Sequence, residues 1–177
     1  MPEIIKDRAI VTDDWVVVRL DEGKSVDMAL PQGKLIVPLS MWLSRRDELI
    51  SRGEVGVWLS DTDEPELVAQ DLHLFKVVAV DFPKFAVGRG YSTAALLRTR
   101  YGYQGELRAI GDVLRDQMFY LARVGFDAFS VRPDRSISDA LQALNDYSVT
   151  YQGSVAQTQP LFARVNRIAA DERQNGS

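Results

Sequence analysis

The sequence predicts an α/β fold with a mainly parallel sheet, and three observations carry that reading. From Leu35 onward, short β-branched runs alternate with stretches of helical periodicity. The run "FKVVAVDF" (75–82) is apolar almost throughout, as a strand buried on both faces requires. Successive runs start about twenty to thirty residues apart, the length of one strand plus a crossover helix. About five βα units result. They suit either an open doubly wound sheet or part of a β/α barrel, and both remain open at this stage.

Each element has its own signal. "EIIKDRAIVTDDWVVVRL" holds two short β-rich runs around Asp13-Asp14, which predicts a small N-terminal antiparallel hairpin with Trp15 opening its second arm. "LDEGKSVDMALPQGK" is a polar connection bearing Gly and Pro. "KLIVPL" then leads into "SMWLSRRDELISRG", where Ser40 suits a helix cap, Trp42, Leu49 and Ile50 share a face, and Gly53 suits the end. "EVGVWLS" is the next strand, and "DTDEPELVAQ" places Pro65 in the first turn of a short helix. After "FKVVAVDF", the segment "YSTAALLRTRYG" reads as a helix with Ser92 as cap and Gly102 as stop. "GELRAIGD" follows as a strand. "VLRDQMFYLARVG" sets Leu114, Met118 and Leu121 on one helical face, closed by Gly125. "FDAFSVR" is a fifth strand. "SISDALQALNDY" carries Ser136 and Asp139 at capping-box spacing, and "YSVTYQ" suits a sixth strand. Residues 1–152 therefore form one expected domain. Residues 153–177 read as a tail, partly mobile, in which Pro160-Leu161-Phe162 with Arg164 and Val165 suits either docking or ordinary packing.

Composition narrows the chemistry. With no cysteine, the 177 residues hold no disulfide, thiolate zinc site or thiol nucleophile, and no metal site or cofactor of the chain's own is expected. The single histidine, His73, sits in "DLHLFK" and reads as a packing or loop residue. No stretch resembles a signal peptide or membrane span, so a cytoplasmic protein without membrane contact is expected. The net charge of −4 argues against nucleic acid, yet it hides an asymmetry. Residues 1–80 hold nine Lys/Arg against fifteen Asp/Glu, whereas residues 81–135 hold nine against six. Eight of those nine central cations are arginines, whose planar fork suits oxyanions.

In parallel α/β folds the loops that follow the strands converge at the carboxyl edge of the sheet. That rule selects Asp81, Lys84, Gly88, Arg89, Gly90, Tyr91 and Ser92 after the third strand. Gly111, Asp112, Arg115 and Asp116 follow the fourth, and Arg132, Asp134 and Arg135 the fifth. In "FAVGRGYSTAALLR" two glycines permit close backbone approach, Arg89 offers a fork, and a helix starting near Ser92 offers free N–H groups. An oxyanion could be held there. The structural alternative is a strand-to-helix turn with a capping serine, and neither standard nucleotide motif is present. Asp112 and Asp116 flank Arg115 at helical spacing and are the candidate acid/base carboxylates. Their structural alternative is a helix cap with a local ion pair.

The stretch "DFPKFAVGRGYSTAALLRTRYGYQGELRAIGDVLRDQMFYLARVGFDAFSV", with "DDW", "LIVPLSMW" and "VTYQ", resembles the bacterial family called domain of unknown function 934, over most of residues 3–152. Val87 and Val124 stand where that family's pattern commonly has an acidic residue and often a cysteine. The resemblance implies an association with assimilatory sulfite reduction and assigns no catalytic residue. It leads to the expectation of an accessory protein that binds sulfite reductase or its electron donor. Lys84, Gly88, Arg89, Gly90, Tyr91, Ser92, Arg115 and Arg132 would form the contact. The alternatives are a small enzyme acting on an anionic metabolite at the same edge, and a flavin- or nucleotide-dependent oxidoreductase.

Overall fold

The computed structural model describes residues 2–21, 23–84 and 88–146. Its centre is an eight-stranded sheet of order β2-β1-β8-β7-β6-β5-β4-β3. The strands are β1 (Glu3–Lys6), β2 (Ala9–Thr12), β3 (Trp15–Val17), β4 (Lys34–Pro38), β5 (Val55–Leu59), β6 (Val77–Phe82), β7 (Glu106–Gly111) and β8 (Ala128–Phe129). From β3 to β8 every neighbouring pair is parallel, and β1 is antiparallel to both β2 and β8. The order is sequential, without the reversal that defines a doubly wound sheet. The mixed, mostly parallel α/β class is as predicted, with the N-terminal strands β1 and β2 paired antiparallel.

Two differences concern particular elements. The N-terminal hairpin is β1–β2, closed by Asp7 and Arg8 at φ 50° and 63°, the two left-handed residues of a two-residue turn. Trp15–Val17, expected as the hairpin's second arm, instead runs parallel to β4 at the opposite edge. The Pro65–Leu74 crossover is a 3-10 helix rather than an α-helix, with Pro65 in its first turn as expected. The remaining helices are α1 (Leu39–Ser44), α2 (Arg46–Arg52), α3 (Gly88–Thr99), α4 (Met118–Arg123) and α5 (Ile137–Asp146), with a short 3-10 turn at Arg115–Gln117. Helix α1 begins at Leu39 without a side-chain cap, so Ser40 lies inside it. The Ser136 hydroxyl accepts the Asp139 N–H at 3.2 Å, one arm of the predicted box. The expected sixth strand in 147–152 and the segment Pro160–Phe162 lie outside the described residues.

The sheet is curled, and its closure can be traced residue by residue. The Asp13 N–H still donates to the Pro2 carbonyl beside β1, at 2.8 Å. Two residues later Trp15 is in register with Lys34 on β4. Thr12 and Trp15 are three Cα steps apart, at most about 11 Å. The two edge strands of the sheet, β2 and β3, are therefore consecutive along the chain, and the sheet curls so that their adjoining ends lie close together.

Burial follows that geometry. The main core lies between the convex face of the sheet and the helices: Leu35, Val57, Val80 and Leu107 pack with Trp42, Leu97, Met118 and Leu121. A second, smaller cluster consists of strand residues only: Ile36, Val77, Ala79 and Ile110, flanked by Trp15, Val17 and Trp58. It fills the concave side. Two ion pairs run between strands that are not neighbours. Arg108 on β7, 2% exposed, donates through Nη1 to both oxygens of Asp13 at 3.0 Å. Arg19, two residues past β3, reaches Asp81 on β6 at 2.9 Å. One pair lies toward the amino ends of the parallel strands, the other toward their carboxyl ends.

Candidate functional site

The predicted carboxyl edge exists, but it does not gather the predicted residues into one group. The Gly-Arg-Gly stretch is not a loop ahead of a helix, because α3 already begins at Gly88. Gly90 does not have a positive φ. Gly90 is buried against the ring of Phe82, where a Cβ would come within 2.3 Å of Cε1, so this glycine serves close packing of helix on strand. Ser92 does not cap the helix; its hydroxyl turns back to the Gly88 carbonyl. Tyr91 packs edge-on against Phe82, and burial raises its phenol above the ordinary range, with a smaller contribution from Tyr120. Arg89 is half exposed and forms an ion pair with Glu64. Lys84 is exposed just beyond β6.

The second predicted group also divides. Leu114 is extended, so Asp112 is not part of a helical turn with Arg115 and Asp116. Asp112 stays at the carboxyl edge, where its Oδ1 accepts from Arg132 at 2.7 Å. Arg132 also holds Asp134 through Nε and Nη2, at 3.0 and 2.8 Å. The two carboxylates, Asp112 first, raise the pKa of its guanidinium further. Arg115 and Asp116 instead line a separate cleft of about 400 Å³ with Phe119, Tyr120, Ala143 and Asp146. His73 is exposed on the 3-10 helix, as a surface residue. Among the described residues no group of three or more acidic or histidine side chains is placed to hold a metal ion.

The edge gathers other residues. A cleft of about 340 Å³ opens where β3, β4 and β5 end, walled by Arg19, Leu20, Asp21, Pro38, Leu39, Ser40, Trp58, Ser60 and Asp63. Its position follows from strand alternation. Asp13, Trp15, Val17 and Arg19 fall on the concave face at every second residue, as do Gly56 and Trp58 on β5. The Trp58 indole N–H donates to the Val18 carbonyl at 2.9 Å, which fixes the ring. The Arg19 guanidinium lies over that ring, 4.9 Å from its centroid, and donates through Nη2 to Asp81. Gly111, at φ 86°, leaves room for this carboxylate, since a Cβ there would come within 2.5 Å of Asp81 Oδ1. Of the other lining residues, the Ser60 N–H donates to Asp63 Oδ2 at 2.8 Å, and the Ser60 hydroxyl bonds to that of Thr62 at 3.0 Å.

Sequence reasoning selected Asp81, Asp112 and Arg132 and missed Arg19, Trp58 and Asp63. Asp63 and Trp58 were within reach, because both lie at or after the end of a predicted parallel strand. Arg19 was not. It belongs to the edge only because β3 joins β4 in parallel, and no local signal shows that pairing. With a cleft, an oriented guanidinium, an aromatic wall and hydroxyls, the edge is equipped to bind a small polar molecule.

A family model described as bacterial protein of unknown function (DUF934) matches residues 56–162. No curated protein matches the chain, and no solved structure does. The matched span contains Trp58, Asp63, Asp81 and Asp112.

Proposed function

The chain belongs to the bacterial DUF934 family, and from that membership and the geometry of its carboxyl edge we propose that it binds a small metabolite carrying an anionic group, in the service of assimilatory sulfite reduction. One observation carries the reading. Arg19 is held between Asp81 and the face of Trp58 on the wall of the cleft, so its fork is oriented before any ligand arrives. Pre-orientation lowers the entropy lost on binding. If the ligand is turned over, Asp112 is the candidate carboxylate at this edge, because Asp116 lines the other cleft.

Calorimetric titration with sulfite, sulfate and small carboxylates tests this. Saturable binding of at least one of them is expected, weakened about tenfold or more by Arg19→Ala and retained in Arg89→Ala. No saturable binding, or equal binding by Arg19→Ala, would overturn it.

A second reading, contact with sulfite reductase or its electron donor, is favoured by the exposed pairs Arg89–Glu64 and Arg132–Asp134. Surface pairs of this kind contribute about 0–1 kcal/mol each, so a partner's carboxylates can replace the internal ones at little cost. Capture of the tagged protein from its native cells at low salt should bring the reductase down, and Arg89→Ala should reduce the yield. Capture without any stoichiometric partner would argue against stable association.

A further inference from the structure

The charges on the cleft wall say more about the ligand than the presence of one arginine does. Arg19 has part of its charge met by Asp81. Among the described residues the same wall carries two carboxylates, Asp21 and Asp63, and no second cation. Asp21 is largely exposed and lies 3.8 Å from Lys24, so it belongs to the rim. Asp63 differs. Its Oδ2 is fixed by the Ser60 N–H, whereas Oδ1 makes no hydrogen bond among the described residues. A bare oxyanion entering here meets one half-compensated guanidinium and a fixed carboxylate in the same cleft, and its repulsion from that carboxylate offsets the attraction. A ligand bearing both charge signs suffers no such conflict.

We propose that the ligand of this cleft is a small zwitterionic amino acid, its carboxylate on Arg19, its ammonium group on Asp63 and its side chain against Trp58. This deepens, and rests on, the anionic-group reading above. The size agrees: about 340 Å³ lies at the small end of ligand sites, enough for an amino acid and tight for a nucleotide. The wall agrees too. The indole is fixed by the Val18 carbonyl and offers an apolar surface, while the Ser40 and Ser60 hydroxyls add neutral donors and acceptors that suit either charged group.

The test is a titration of the full chain with each of the twenty protein amino acids, and with propionate and isopropylamine, each of which carries one of the two charges. At least one amino acid should bind saturably, with propionate and isopropylamine about tenfold or more weaker. Asp63→Asn, which keeps an acceptor for the Ser60 N–H, should weaken the amino acid and leave propionate unchanged. Arg19→Lys should weaken both, and thermal melting will show that each variant is folded. If propionate or sulfite binds as tightly as every amino acid, the zwitterion is wrong while the anionic-group reading stands. If Asp63→Asn leaves the amino acid's affinity unchanged, the zwitterion is again overturned. If nothing binds, both readings fall.

Discussion

Arg108 is an arginine in the middle of a strand, with Glu106 two residues before it and an apolar residue on either side. Burying a guanidinium is costly unless its hydrogen bonds and charge are met inside. Here they are. Asp13 takes Nη1 on both oxygens, Glu106 takes Nε at 2.7 Å, and Lys6 lies 3.1 Å from Glu106 on its other side. Arg108→Met should destabilise the protein by about 3–5 kcal/mol, since it leaves Asp13 buried without its partner and Glu106 with Lys6 alone. Urea unfolding of the variant checks this, and a loss below about 1 kcal/mol would mean that water reaches the pair. Asp71 makes the same point at a partly buried site. The Arg46 guanidinium, and then the Trp42 indole, hold its carboxyl below the usual range. A carboxyl lowered in the folded state stabilises above its ordinary pKa, and that contribution is lost as pH falls through the folded-state value. The melting-temperature gap between the protein and Asp71→Asn should therefore be full at pH 7 and close on acidification below about pH 4. A gap that persists there would assign the effect to geometry rather than charge. Glu106 and Arg108 were legible as a charged pair at period two inside a predicted strand. Their partner was not, because Asp13 is brought to them by closure of the sheet.

At the scale of elements, the Gly88-Arg89-Gly90 stretch supports two readings from sequence, ligand approach or a tight passage from strand to helix, and α3 does follow β6 there. Gly90 lets the helix lie on Phe82. Gly90→Ala should cost about 1–3 kcal/mol, because the clash is with an aromatic ring held in the core by Phe126 and Tyr91. Gly88→Ala has open space around its Cβ and should fall within about 0.5 kcal/mol of neutral. Thermal melts of the two variants side by side separate packing from flexibility; equal losses would refute the packing argument. The strands β4, β5 and β6 were legible because burial on both faces of the sheet makes them apolar almost throughout. The helical segments were less so. Apolar spacing over Pro65–Leu74 and Leu114–Arg123 fits 3-10 and α geometry alike over a few residues, and only the structure shows where the first gives way to the second.

For the whole molecule, the amino-end latch and the carboxyl-end cleft share one strand. Asp13 and Arg19 lie on the same face of the segment that contains β3, six residues apart, and each reaches across the lumen to a strand that is not its neighbour. Strand β3 has a single ladder partner, β4, so these two contacts are its main ties to the far side. Loosening one should let the other move. Asp13→Asn keeps an acceptor for the Trp15 N–H, a bond of 3.1 Å, but removes the charge opposite Arg108. Amide exchange at Val16 to Val18 should then speed up relative to β5, β6 and β7, whose ladders are untouched. Because Arg19 is positioned by the same strand, the variant should also bind the cleft's ligand more weakly, although Asp13 lies at the other end of the strand. Uniformly faster exchange would show a global loss of stability and no local release of β3. Local release with unchanged affinity would show that Asp81 and Trp58 alone suffice to hold Arg19 in place.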